Sequence, residues 1–159
     1  MSFPNVVQYQ PAPAVAGDFA SSNPRAVVLA GPGGLVAGTG GVNTGLFAWA
    51  DVNGLVTNAG SGVPTGFVHR EQQALIVTYL AEYGTNVPVG FMVTLHATGD
   101  FWVNTTTVAT QGQKVFASNT TGVIATGATG ATIAGFTETK YFVETAGAVG
   151  ELIKMSSRS

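Results

Sequence analysis

Apolar and polar side chains alternate with a period of two over most of this chain, the spacing of strands that bury one face. Residues 45–50 show it clearly, with Phe47 and Trp49 on one side, and Asn53-Gly54 supplies the turn into Leu55 and Val56. An apolar strand is predicted over 26–30, ended by Gly31-Pro32-Gly33-Gly34. Further strands are predicted over 65–69, 91–96, 101–103, 114–117, 121–124, 136–143 and 149–155. Thr98-Gly99-Asp100 separates two of them. The stretch 71–83 is ambiguous. Gly84 suits a helix C-terminus, whereas the β-branched cluster Ile76-Val77-Thr78 argues for a strand, and a strand is the preferred expectation. Since Phe101, Trp102 and Val103 directly follow a tight turn, Trp102 is expected to be a buried anchor.

Two hairpins carry one pattern. Gly45 to Ala50 followed by Gly54 to Val56 aligns with Gly112 to Ala117 followed by Gly122 to Ile124. Aromatic, alanine and post-turn glycine correspond, with one extra residue in the second turn. Reused corners of this kind suit a sandwich or jelly roll. The expected fold is therefore all-β, a jelly-roll-like β-sandwich, with one β domain over 26–159.

Residues 1–25 read differently, as an extended N-terminal arm. Pro4, Pro11, Pro13 and Pro24 block helix and remove ladder donors, while Phe3, Val6, Val7, Tyr9 and Phe19 make the segment adhesive. A purely solvated tail would be more polar. The arm is expected to lie on its own domain or on a neighbour. The neighbour is preferred, because prolines interrupt ladder pairing, so deletion of residues 1–24 is expected to leave the domain folded.

Composition sharpens this picture at one point. Only 9% of the 159 residues are charged, against roughly 25% in an ordinary soluble domain. Asp51 is the only charge between Ala26 and His69, and Lys114 the only one between Phe101 and Thr137. A free monomer carries mixed charge to stay dispersed, so two such stretches point to surface covered by a partner. Net charge is −2 and the chain has no cysteine. The first gives no reason to expect nucleic acid; the second excludes disulfides and thiolate metal sites and fits a reducing compartment. No basic-then-apolar leader opens the sequence and no run approaches the ~18 apolar residues of a membrane span. Asn104-Thr105-Thr106 and Asn119-Thr120-Thr121 match the glycosylation pattern but read as turns without a secretion signal.

A search for chemistry finds no constellation. The glycines of 31–41 are followed by no Gly-Lys-Ser/Thr and open no dinucleotide fingerprint. His69-Arg70-Glu71 is the densest charged cluster, yet no serine or cysteine elbow accompanies it, and a strand-edge ion pair is the better reading. His69, His96 and Asp100 lack the spacing of a metal site. Trp49 and Trp102 could stack bases or sugars, but aromatics in strands are usually core or interface anchors. No enzyme and no cofactor are expected.

Several segments resemble the structural cement, or head decoration, proteins of tailed bacteriophages. They are 11–25 with Asp18 and Pro24, 29–35, 47–49, 66–75 with His69, Arg70 and Glu71, 93–96 and 99–103, so the similarity spans roughly 11–122. The resemblance implies a domain on the outside of the virion that bridges neighbouring major capsid proteins, after a stay in the host cytoplasm during assembly. It also implies self-association, a homodimer first and a trimer second, and no active site. Candidate capsid or self-interface residues are Phe3, Tyr9, Phe19, Arg25, His69, Arg70, Glu71 and Trp102. A tail or fibre adhesin for a host-surface ligand is the alternative, disfavoured by the absence of fibre repeats and of a coiled-coil stalk.

Overall fold

The computed structural model describes residues 13–71 and 84–157, which form an all-β sandwich without helix. The predicted 71–83 element lies, beyond Glu71, outside the described residues. One sheet has six strands in the order β1 (Ala26–Val27), β8 (Leu95–Thr98), β6 (Gly66–Val68), β4 (Phe47–Ala50), β5 (Leu55–Thr57), β2 (Val36–Ala37). The other has five: β11 (Ile124–Gly127), β10 (Lys114–Ser118), β12 (Phe136–Val143), β13 (Leu152–Ser156), β9 (Asp100–Asn104). A short ladder joins β3 (Val42–Asn43) to β7 (Asn86–Val87).

The six-stranded sheet curls until it meets itself. At its β2 end, Val93 donates to the Leu35 carbonyl (2.9 Å), Ala37 donates to that of Phe91 (2.8 Å), and Val36 bridges Met92. Residues 91–93 then run straight into β8, so the strands enclose a small barrel. Its interior is filled by Leu35, Ala37, Val42, Ala48, Val56, Val68, Val87, Val93 and Leu95. Side chains this small follow from the tight curvature of a ring of so few strands.

The outer side of the same sheet faces the five-stranded sheet, and a second core fills the gap. Phe47, Trp49 and Phe67 meet Phe101, Val103, Val115, Tyr141, Ile153 and Met155 there. Strands β4 and β6 are thus buried on both faces. Phe47 and Trp49 enter the inter-sheet core while Ala48 enters the barrel, as the period of two requires. Gly66 marks how tightly β6 lies on β8, since a Cβ there would stand 2.9 Å from the His96 carbonyl oxygen.

The aligned hairpins are real, one in each sheet. Ala50 pairs with Val56, and the aligned Ala117 pairs with Ile124. Their faces differ. Trp49 points into the shared core, whereas the aligned Phe116 is buried outside that cluster, near Gly127 and within reach of Ile133. The first turn depends on Asp51, whose Oδ1 accepts from the Asn53 and Leu55 amides (both 2.8 Å), and on Gly54 at φ +81°.

Three expectations need correction. Residues 91–96 are not one strand: 91–93 lace β2 and only Leu95 onward joins β6. Trp102 is half-buried on the outer face of β9, with the Lys154 ammonium 4.8 Å from its ring centre, and Phe101 and Val103 take the inward positions. Finally, part of the arm packs on its own domain. Gly17 donates to the Trp102 carbonyl (2.7 Å), Trp102 to that of Asp18 (2.9 Å) and Ala20 to that of Asp100 (2.9 Å), which covers the β9 edge of the five-stranded sheet. The Asp100 carboxylate then accepts from Ser21 and Asn23, each at 2.6 Å.

Two stability measurements follow from this packing. Phe101→Ala should cost roughly 3–5 kcal/mol in chemical denaturation, and Trp102→Ala clearly less; equal costs would put Trp102 in the core. Deletion of residues 1–24 should lower the melting temperature, because Phe19 is partly buried against the inter-sheet core and contributes a share of the roughly 1.5–3 kcal/mol of a fully buried Phe. An unchanged melting temperature would contradict the docking of 17–20.

Candidate interaction surface

Where the arm crosses from one sheet to the other, it gathers half of the interface residues predicted from the sequence. The Phe19 ring stacks on His69 at 3.7 Å between centroids, and the Arg25 guanidinium lies 3.8 Å from the same ring's centre. His69 Nδ1 is 2.7 Å from the Gly17 carbonyl oxygen. Arg70 donates its backbone N–H to that carbonyl (3.0 Å) and pairs with Asp18 through Nη1 at 3.4 Å. Four of the eight predicted interface residues, Phe19, Arg25, His69 and Arg70, therefore form one cluster whose contacts tie the arm to its own domain. Glu71 is exposed beside it, Trp102 stands on the outer face of β9, and Phe3 and Tyr9 lie outside the described residues.

His96, on β8, closes the floor of this cluster. Its ring is 5.4 Å from Phe19 and 5.6 Å from His69, both edge-on, and the residue is only 5% exposed. Burial, then the nearby His69 and Arg25, lowers its pKa from 6.5 to about 4. Tyr141, beneath it, directs its hydroxyl at the His96 and Ala97 carbonyl oxygens, and burial raises its pKa. Among the described residues no three His, Cys, Asp or Glu side chains converge to hold a metal, and no helix is long and apolar enough to cross a membrane.

A second surface was not singled out in the sequence. Eight of the eleven large apolar side chains left exposed among the described residues fall between Ala26 and Gly99: Val27, Leu29, Val52, Leu55, Val63, Val89, Phe91 and Met92. Residues 26–68 and 84–99, which build the barrel, carry one charge, Asp51, and the turn it nucleates already uses that carboxylate. Residues 101–157 carry six charges: Lys114, Glu138, Lys140, Glu144, Glu151 and Lys154. Charge and exposed apolar surface are thus segregated between the two halves of the molecule.

The apolar side chains at one end of the barrel are contiguous. Leu29, 96% exposed, and Val52, fully exposed, line one shallow groove that Gly34 and Gly54 keep open. Gly34 lies directly against the Met92 methyl, so Met92 continues the surface, with Phe91 next to it in the chain. Leu55 extends it along β5, opposite Val36. Exposed apolar patches are where proteins commonly associate, which makes this end of the barrel the candidate docking face. The Trp49 indole, in contrast, does not stand ready for sugars or bases: it is buried, its Nε1 bonded to the Gly62 carbonyl and its ring covered by Gly60.

Comparison with known proteins identifies a family. A family model described as XM1 gp53 minor capsid protein matches residues 3–157. A chain from the solved capsid of Myoviridae phage XM1 superposes with a TM-score of 0.66 at 18% identity, covering 99% of this chain and 98% of that one. No curated protein matches the chain. The structural likeness speaks to the fold alone, but the family match runs over nearly the whole sequence. This β-sandwich, whose barrel half carries a single charge among the described residues, belongs to the family of the XM1 gp53 minor capsid protein.

Proposed function

We propose that this minor capsid protein sits on the outer surface of a phage head and bridges neighbouring major capsid proteins, stabilising the shell. The observation that carries this reading is the segregation of charge: the barrel end with Leu29, Val52, Leu55, Phe91 and Met92 is apolar and nearly free of ions, while the five-stranded sheet carries the charges. Covering a charge-free face removes apolar area from water and strands no ion in a dry interface. The charged half suits the side turned to solvent. Residues 1–12, uncharged and carrying Phe3 and Tyr9, provide a second attachment to a neighbouring subunit, with stiffness from proline limiting the entropy lost on docking.

A shell multiplies small gains. A standard interface buries roughly 1,600 Å², and repetition over a symmetric lattice makes modest contacts collectively strong against outward pressure. Self-association fits the same surface, as a homodimer first and a trimer second. Assembly places the chain in the host cytoplasm before it joins the virion.

The test compares binding to heads that lack the protein. The double variant Leu29→Asp/Val52→Asp should attach at least tenfold more weakly, or about 1.4 kcal/mol, with an unchanged melting temperature because both side chains are solvent-exposed. Val108→Asp/Val149→Asp, exposed on the other half, should bind as the wild type does. Attachment should depend little on salt, since few charges are there to be screened. Equal binding by all three proteins would refute the assignment of the barrel face.

A further inference from the structure

The cluster that ties the arm down contains a group that the proposed docking role does not use. His96 is buried at the junction of the two sheets, and its Nδ1 has no hydrogen-bond partner among the described residues. An unprotonated ring nitrogen without a partner is tolerable in an aromatic surround. A protonated one would place an N–H donor and a full charge there with no acceptor.

The groups around it make that charge worse. Arg25 comes from the arm, with its Cβ side against Gly99, and lies over Phe19; His69 comes from the residue after β6. Phe19 and Phe101 present ring edges or tilted faces at 5.4 Å. From β12, Tyr141 contributes a neutral hydroxyl directed at the His96 carbonyl. The nearby carboxylates are already engaged: Asp100 accepts from Ser21, Asn23 and Ser156, and Asp18 pairs with Arg70. Two of these neighbours, Phe19 and Arg25, belong to the arm and would leave with it.

We infer that His96 is a proton-sensitive latch: protonation of its imidazole releases the segment around Phe19 from β9 and from His69. Lifting that segment uncovers the ring, removes the Arg25 charge and lets water reach Nδ1. The sign follows from the two states. With the arm docked, the pKa is about 4; with the ring solvated it returns toward the ordinary histidine value near 6.5. The docked state therefore binds fewer protons between those limits, and acidification favours opening, approaching tenfold per pH unit for one proton. The same accounting holds for folding: the contribution from a neutral His96 is fully present above about pH 6.5 and is lost as pH falls toward 4. The latch concerns the fold of the arm and stands whether or not the barrel face binds a capsid.

Hydrogen exchange on the full chain, corrected for intrinsic rates, tests it. The Gly17, Ala20 and Trp102 amides, which hold the arm to β9, should lose protection about fivefold on going from about pH 6.5 to 5.5. Amides of the β10–β12 ladder, freed by global unfolding rather than by arm release, should stay better protected than the arm amides at both pH values. In His96→Phe, which preserves an aromatic ring and removes the titrating nitrogens, the loss should disappear. Arm protection independent of pH, an equal loss in the variant, or arm amides as well protected as the β10–β12 ladder would each overturn the latch. If the variant does not fold, a nuclear magnetic resonance titration of the wild-type ring decides. A His96 midpoint well below 6.5 that coincides with shifts of the arm amides supports the latch, and a midpoint near 6.5 with those amides unmoved overturns it.

Discussion

Strands β4 and β6 must bury both of their faces, and most of the architecture follows from that requirement. Phe47, Trp49 and Phe67 need a large apolar counterpart, which the five-stranded sheet supplies through Phe101, Tyr141 and Met155. Ala48 and Val68 need a narrow one, which the curled barrel supplies. Large aromatics on one side and small aliphatics on the other let a single sheet serve as the wall between two cores of different width. Close packing at that wall explains Gly66 against β8 and Gly122, whose Cα lies against the Phe47 carbonyl. The arm completes the arrangement by covering the exposed β9 edge and inserting Phe19 beside Phe101.

Long, regular elements were legible in the sequence because their period was sustained. Residues 136–143 were expected as a strand and form β12 with those bounds. The hairpin alignment held in its register, Ala50 with Val56 and Ala117 with Ile124. Parity was not legible in short runs. Phe101, Trp102 and Val103 are all apolar, so alternation alone cannot tell which of them faces inward, and the largest was the wrong choice. Two-residue ladders such as β3 and β7 leave no periodic signal at all. The arm was misjudged for a related reason: four prolines dominated its reading, although the ten residues from Ala14 to Asn23 are free of proline and can pair with β9.

The candidate surface was half visible. Scarcity of charge over 26–68 pointed to a covered face, but the side chains that make it adhesive were hidden among strand and turn residues. Leu29 sat in an expected strand and Val52 in an expected turn; only the closed barrel shows that both face outward beside Met92. His69 and Arg70, in contrast, drew attention as charge and serve as contacts for Gly17 and Asp18. In this fold, ions near the sheet junction organise the molecule itself, and under the proposed docking role the scarcity of ions on the barrel prepares it for a partner. Membership of a minor capsid family gives that absence a purpose.

The orientation of the protein on a head tests this account most directly. A cryo-electron microscopy reconstruction of decorated heads should show the barrel end, with Leu29, Val52 and Met92, against the capsid lattice, and Glu138 and Lys140 of β12 toward solvent. Contact made through β12, with Leu29 and Val52 left in water, would contradict it.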